Sequence, residues 1–283
     1  MPEIQLSQGV VRYREQGTGT PIVLIHGLLV NGNIWDRLIP LLSKQGRCIV
    51  PDLPLGSHSL PMNKGADLSA PGLARLIAEF IERLGLEDVT LIGNDTGGAL
   101  CQLVAANHPE RLGRLVLTTC DAFENFPPPA VRPMVTALKL PGALVATSVI
   151  GRLRVVRQAA FKAMPLTMQP IADEQVKSWV APLADKRIRA DLASVVRGLD
   201  PADTLAAAER LRGFERPALI AWGAEDRIFP FSDAERLAAT LPNARLERIP
   251  NARAFVQLDA PERLAELIGS VANGAATAPA GHN

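Results

Sequence analysis

The chain has 283 residues, of which 47% are hydrophobic and 21% charged, and its formal net charge is +1. This length and composition are those of a globular protein with a sizeable core, in one large domain or two smaller ones. A net charge this close to zero gives no reason to expect nucleic acid or an anionic membrane surface as a partner. Residues 1–8 lack a signal-peptide pattern and no apolar run reaches membrane-spanning length, so the sequence predicts a cytoplasmic protein.

Short apolar runs alternate with longer amphipathic stretches along most of the chain. This alternation is typical of a parallel sheet wrapped by helices. The predicted strands are 10–15, 22–26, 48–52, 89–92, 115–119, 218–222 and 245–249. The predicted helices between and after them are 35–44, 70–84, 98–108, 233–240 and 261–272. The last of these begins with proline, which suits a first helical turn.

Residues 121–215 interrupt the alternation with helical patterns and no strand. Helices are predicted at 151–163, 173–184 and 185–196. Helices inserted between two strands of one sheet predict a cap over the strand ends. We therefore predict a core formed by residues 1–120 and 216–272, with a helical cap at 121–215. Residues 273–283, rich in Ala, Gly and Pro, are predicted to be disordered.

The segment Gly93-Asn94-Asp95-Thr96-Gly97 lies between a predicted strand and a predicted helix. Its frame, glycine-x-nucleophile-x-glycine in a strand–turn–helix context, is that of a nucleophile elbow. The tight turn strains the central residue and leaves room only for glycine beside it. A carboxylate at the centre can attack an sp³ carbon and form an ester. Asp95 is therefore the candidate nucleophile.

Four segments, in order, resemble the α/β-hydrolase fold family over essentially the whole chain. Residues 25–28 (Ile-His-Gly-Leu) are similar to the family's oxyanion loop, and residues 51–59 are similar to its D-x-P-G-x-G-x-S segment. The elbow at Asp95 is the third match, and residues 222–230, similar to the family's acid-bearing loop, are the fourth. The resemblance implies a mostly parallel α/β sheet flanked by helices, with the cap inserted after the sixth strand. It also implies an oxyanion hole made of the Leu28 and Thr96 backbone N–H groups, and a catalytic acid at Asp226.

An aspartate nucleophile resembles haloalkane dehalogenases, haloacetate dehalogenases and epoxide hydrolases, and this chain departs from each. Haloalkane dehalogenases hold the halide with a tryptophan and often an asparagine, where this chain has Thr96 and Leu28. Haloacetate dehalogenases place an arginine after the nucleophile, where Thr96 stands. Epoxide hydrolases protonate the opening oxygen with cap tyrosines, and the one tyrosine here is Tyr13.

The family's catalytic histidine is the larger departure. It follows the last strand, and residues 250–262 have the matching flanks with Ala254 at that position. A methyl group cannot take a proton from water, so hydrolysis of an ester intermediate lacks its usual base. None of the four histidines (His26, His58, His108 and His282) is predicted to replace it. Arg253 stays protonated and cannot act as a base.

Several other residues are assigned by their positions beside these motifs. The candidates for the pocket are His26, Asn94, Trp35, Phe123 and Arg253. Asp121 and Glu124 follow the predicted strand 115–119, near where some of the dehalogenases that the chain resembles place their acid, and loop or helix-cap duties are predicted for both. No cluster of cysteine, histidine and carboxylate has metal-ligand spacing and no glycine-rich phosphate loop is present, so no metal or organic cofactor is predicted.

The sequence thus predicts an α/β-hydrolase-fold enzyme that uses Asp95 on a small, largely apolar substrate, with Asp226 as the first candidate for activating water. One alternative is proton-transfer chemistry without a covalent step, such as elimination, isomerisation or cyclisation, with Asp95 as the acid or base. The other is a ligand-binding protein that kept the pocket and lost turnover. The substrate and the oligomeric state do not follow from the sequence.

Overall fold

The computed structural model describes residues 1–272, which contain one eight-stranded sheet. The strands are β1 (Glu3–Leu6), β2 (Gly9–Gln16), β3 (Pro21–Ile25), β4 (Arg47–Pro51), β5 (Val89–Asp95), β6 (Leu112–Cys120), β7 (Ala218–Gly223) and β8 (Ala244–Ile249). Their order across the sheet is β1-β2-β4-β3-β5-β6-β7-β8. Pairing is antiparallel between β1 and β2 and between β2 and β4, and parallel from β4 to β8.

The predicted fold class, a mostly parallel sheet flanked by helices, is confirmed. All seven predicted strands are present, and β1 is an additional one. β1 has only four residues, three of them at least partly exposed, and it pairs along one edge. Its residues, Glu-Ile-Gln-Leu, alternate polar and apolar, but four residues are the shortest run in which this alternation indicates a strand.

The helices of the core cover both faces of the sheet. They are α1 (Ile39–Leu42), α2 (Ala70–Arg83), α3 (Thr96–Asn107), α9 (Pro201–Leu211), α10 (Phe231–Thr240), α11 (Val256–Asp259) and α12 (Pro261–Ala272). The single helix predicted at 35–44 is instead a 3-10 turn, Gly32–Trp35, followed by α1. Pro40 sits in the first turn of α1, where its missing N–H costs no hydrogen bond, so the helix starts there.

The insertion between β6 and β7 contains α4 (Arg132–Leu138), α5 (Ala143–Ile150), α6 (Arg154–Ala163), α7 (Asp173–Val180) and α8 (Lys186–Arg197). The next helix, α9, packs against α3 and α10 of the core. We therefore place the end of the proposed cap near Gly198 rather than at residue 215. The predicted disordered tail, 273–283, lies outside the described residues.

Within residues 1–272 no single helix is long and apolar enough to cross a membrane. By length and composition alone, α4 and α5 together would qualify, but a bend of 106° separates them.

The carboxyl ends of the central strands bring the predicted elbow beside the start of the insertion. Along β5 and β6, Asn94 pairs with Thr118, but the next residue, Asp95, pairs with Cys120. This irregularity skips one residue of β6 and advances that strand relative to the elbow. Asp121, the first residue after β6, consequently lies next to Asp95.

Candidate active site

The elbow has the strained geometry that its glycines predict. Asp95 ends β5 with φ of 56° and ψ of −136°, a conformation that side-chain-bearing residues rarely adopt. A Cβ added to Gly93 would lie 2.5 Å from the carbonyl oxygen of Gly97. A Cβ on Gly27 would lie 2.6 Å from the Cγ of Asp95 itself. The backbone therefore closes tightly around the Asp95 carboxyl group.

The two predicted oxyanion-hole donors both act on the Asp95 carboxyl group. Its Oδ1 accepts a hydrogen bond from the Thr96 N–H, and the Leu28 N–H also stabilises the ionised form. Burial has the larger effect and raises the pKa of Asp95 to about 6, with the Thr96 and Leu28 donors opposing it. Asp95 is thus held by fixed N–H groups, and a modest pH change near neutrality changes its charge.

Asp121 is a second carboxyl group at this point, although the sequence predicts loop or helix-cap duties for it. Its side chain is 2% exposed, and Oδ2 lies 3.1 Å from the Thr96 hydroxyl. Its other oxygen, Oδ1, is buried without a hydrogen-bond partner among the described residues. Burial raises the pKa of Asp121 well above its usual range, and the charge of Asp95 raises it further. Of the two carboxyl groups, Asp95 therefore ionises at the lower pH.

Asp95, Thr96 and Asp121 line one end of a cavity of about 350 Å³. The cap and core contribute the rest of a mainly apolar wall, including Leu28, Val135, Ile150, Phe161, Trp179 and Phe255. The buried guanidinium of Arg157 also reaches the wall, where it binds Asp173 Oδ2 at 2.7 Å and the Arg152 carbonyl at 2.7 Å. This volume accommodates a small molecule, and the apolar lining suits a substrate of low polarity.

Two predicted pocket residues are structural supports outside the cavity lining. His26 is fully buried and neutral: its Nδ1 contacts the Gly27 carbonyl at 3.0 Å, and its Nε2 accepts from the Leu53 N–H at 3.1 Å. Burial lowers the pKa of His26. The Asn94 amide donates to the Ala254 carbonyl at 2.8 Å and accepts from Gln257 at 2.9 Å. Asn94 therefore ties the loop after β8 to the sheet.

The other three predicted pocket residues also lie away from the cavity. Trp35 is fully buried in the core, and Phe123 packs under the Arg236 guanidinium at 3.9 Å. Arg253 donates through Nη1 to the Thr167 carbonyl at 3.0 Å. None of the five lines the cavity.

Asp226, the predicted acid, caps its own loop. Its carboxyl group accepts from the backbone N–H groups of Arg227, Ile228 and Phe229 at 2.8, 3.2 and 2.9 Å. Burial raises its pKa to about 6, against the effect of these three donors, and the charge of Asp95 raises it further. Asp226 does not line the cavity.

The described histidines do not reach the cavity either. His58 bonds through Nε2 to Asp191 at 3.1 Å, and His108 caps the end of α3. His282 lies outside the described residues. Ala254, at the family's predicted histidine position, is fully buried. Within residues 1–272 no group of three or more histidine, cysteine, aspartate or glutamate side chains is placed to hold a metal ion.

Comparison with known proteins places this geometry in a family. Haloalkane dehalogenase 2 of Mycobacterium bovis is 30% identical over 275 residues, covering 93% of this chain and 91% of its own length. The cis-3-alkyl-4-alkyloxetan-2-one decarboxylase of Shewanella oneidensis is 25% identical, with coverage of 90% and 82%. A crystal structure of a putative ancestral haloalkane dehalogenase superposes with a TM-score of 0.78 at 24% identity, covering 98% and 100% of the two chains. The alpha/beta hydrolase family model matches residues 22–267, and the chain belongs to that family.

Proposed function

We propose that this protein is a hydrolase that opens a small, largely apolar epoxide, with Asp95 as the nucleophile and Asp121 as the proton donor and acceptor. The observation that carries the proposal is the pair of carboxyl groups at the end of an apolar cavity, joined through Thr96. One carboxyl group ionises near pH 6, and the other stays protonated beside it. Pairs with separated pKa values are how active sites divide nucleophile and acid roles.

In the first step an Asp95 oxygen attacks a ring carbon of the epoxide. The carbon–oxygen bond of the ring breaks, and its electron pair goes to the ring oxygen. That oxygen takes the proton of Asp121, leaving an ester on Asp95 and a carboxylate at Asp121. Asp121 thereby supplies the acid that cap tyrosines supply in the epoxide hydrolases that the sequence resembles.

In the second step the Asp121 carboxylate takes a proton from water, and the resulting hydroxide adds to the carbonyl carbon of the ester, which is Cγ of Asp95. The Leu28 and Thr96 N–H groups stabilise the resulting oxyanion. Collapse expels the alkoxide, which takes the proton of the regenerated Asp95 carboxyl group. The products are a diol and the starting enzyme, so the cycle closes without a histidine.

The cavity favours a leaving oxygen over a leaving halide. Trp179 lines the same cavity, but its indole N–H donates to Asn33 Oδ1 at 2.5 Å. An oxygen leaving group needs a proton, which Asp121 holds, whereas a halide needs N–H donors. The dehalogenase and the oxetanone decarboxylase among its relatives support a strained or activated apolar substrate without fixing its identity.

Proton transfer without a covalent step is the second candidate function. The pKa of Asp95, about 6, suits a general base near neutral pH, and the same N–H donors fix its orientation. In that case Asp95 removes a proton from the substrate, and Asp121 returns one elsewhere.

The first test compares the unaltered protein with Asp95→Asn and Asp233→Asn on a panel of epoxides, bromoalkanes and activated esters. Asp233 is the control because it is another carboxyl group of low exposure (2%) and lies outside the cavity lining. We expect diol from the unaltered protein and from Asp233→Asn, and none from Asp95→Asn. Diol formation by Asp95→Asn would refute the proposal. Ligand binding by the unaltered protein without turnover on any epoxide would indicate a binding protein instead.

A further inference from the structure

The surface of the cap around the cavity mouth is unusually apolar. Of the ten large hydrophobic side chains that are exposed within the described residues, eight lie between positions 140 and 168. We call six of them the entrance patch: Val145, Val149, Ile150, Leu153, Val155 and Val156. Their exposure ranges from 37% for Val156 to 79% for Val155. Contiguous exposed apolar surface of this kind marks a binding face.

The patch surrounds the way into the cavity. Four of the residues that line the cavity are also exposed, and all four lie on α5 or α6: Ala146, Ile150, Val156 and Ala160. Each helix contributes a pair four residues apart, which places the pair on one helical face. The mouth therefore opens between α5 and α6, and Ile150 and Val156 belong to both the mouth and the patch.

The connection between α5 and α6 is fixed in place. Arg157, which is 6% exposed, donates to the carbonyls of Gly151 and Arg152 and pairs with Asp173. These bonds hold the turn that carries Leu153 outward. The apolar side chains are thus presented by an ordered surface.

The chain segment that carries the patch has charges of one sign. Between residues 125 and 172 the sequence has six basic residues and no acidic one: Arg132, Lys139, Arg152, Arg154, Arg157 and Lys162. Within the described chain, Lys139, Arg152 and Lys162 make no ion pair, and Arg154 reaches Asp173 only at 3.7 Å. The whole chain has a net charge of only +1 because acidic residues elsewhere offset this basic segment. The expectation of no anionic membrane partner is based on that net charge and does not consider the segment by itself.

We propose that the entrance patch docks on an anionic lipid surface, so that the mouth of the cavity faces the lipid. Aliphatic side chains that enter the acyl boundary, flanked by lysine and arginine at the headgroups, are the two components of interfacial binding. A second copy of this chain fits less well, because a symmetric contact would bring the same basic segments together. An apolar substrate concentrates in lipid, and this arrangement delivers it directly to Asp95. The delivery role rests on the proposed function, whereas docking does not.

Vesicle co-sedimentation tests the docking, with phosphatidylcholine vesicles compared with vesicles that also contain phosphatidylserine. We expect binding to the anionic vesicles only. Leu153→Asp weakens it at least about tenfold, through lost apolar burial and added repulsion. Arg152→Glu combined with Arg154→Glu weakens it at least about 25-fold, at about fivefold for each basic side chain. Leu205→Asp is the matched control, because Leu205 is 43% exposed on α9, outside the patch.

Each other outcome overturns the proposal. One such outcome is that the protein binds neutral and anionic vesicles equally well. Another is that the patch variants bind anionic vesicles as well as the unaltered protein does. The third is that the protein, whether monomer or dimer, binds neither kind of vesicle. Light scattering of the unaltered protein and of Leu153→Asp identifies a dimer that uses the patch. Asp95→Asn separates the two proposals, since it should bind vesicles normally whatever its effect on turnover. Leu153→Asp should keep the turnover of a water-soluble epoxide.

Discussion

Replacing Asp121 by asparagine removes the proton that the Asp121 carboxyl group can transfer and keeps the size and neutral charge of its side chain. Asparagine matches the size and neutral charge of a protonated carboxyl group but cannot transfer a proton. Asp121 is buried, pairs with the Thr96 hydroxyl at 3.1 Å and has one oxygen without a partner among the described residues. The change therefore leaves the packing intact and removes one chemical function.

The expected magnitudes follow from the two pKa shifts. With a pKa of about 6, Asp95 is about nine-tenths ionised at pH 7 and about one-tenth ionised at pH 5. The rate of its attack on substrate should therefore be about tenfold higher at pH 7 than at pH 5. Because Asp121 is neutral in this range, Asp121→Asn should leave that profile in place. Loss of the base should slow ester hydrolysis by about 10²–10⁴.

The assay uses a short primary bromoalkane and an epoxide of similar length. Bromide leaves without taking a proton, so Asp121 keeps its own proton and cannot act as the base for the second step. The unaltered protein and Asp121→Asn should therefore each release about one bromide per protein and then slow, with the adduct visible by intact mass. The epoxide needs the proton of Asp121, so its opening should be slow in the same variant. A midpoint lowered by a pH unit or more in Asp121→Asn would refute the reasoning, because it would mean that Asp121 is ionised beside Asp95. Steady turnover of the bromoalkane by this variant would refute it as well.

Three further changes have defined outcomes. Asp95→Asn should be more stable than the unaltered protein at pH 8, by up to about 3 kcal/mol. The reason is that folding raises the pKa of Asp95 from 3.8 to about 6, so the unaltered protein loses stability as pH rises through that window. Urea denaturation at pH 4 and pH 8 should show the difference only at pH 8. Adding Ala254→His to Asp121→Asn should speed decay of the ester at least about tenfold by restoring a base, and an unchanged adduct lifetime would argue against position 254 as the histidine position. Gly27→Ala should lower turnover by more than about tenfold, because its Cβ would lie 2.6 Å from the Asp95 Cγ and displace the carboxyl group; unchanged kinetics would argue against this cradle.

The fold and the elbow were predictable because their signals are local. Alternating strands and helices identify the sheet, and two glycines around Asp95 identify the strained turn. The contact of Asp121 with the elbow was not predicted, although its place after a strand near the acid position of some dehalogenases was noted, because that contact depends on the skipped residue in the pairing of β5 and β6. That register is set by contacts between segments far apart in sequence.

The five pocket candidates lie outside the cavity lining for a related reason. Asn94 is next to Asp95 in sequence, but adjacent residues of a strand point to opposite faces, and Asn94 points to the loop after β8. His26 likewise turns to the buried backbone of its own loop and of Leu53. Much of the cavity wall comes instead from cap helices, and no short motif specifies how those helices lie over the sheet.

The central claim, that Asp95 forms an ester with the substrate, is tested most directly by a single turnover in H₂¹⁸O. An excess of the protein is mixed with an epoxide and then digested. The mass of the peptide that contains Asp95 is measured by mass spectrometry. The mechanism transfers an Asp95 oxygen to the diol and replaces it from water. We therefore predict ¹⁸O in the Asp95 carboxyl group and an unlabelled diol from the first turnover. A labelled diol with an unlabelled Asp95 would contradict the account and show that water attacks the substrate directly.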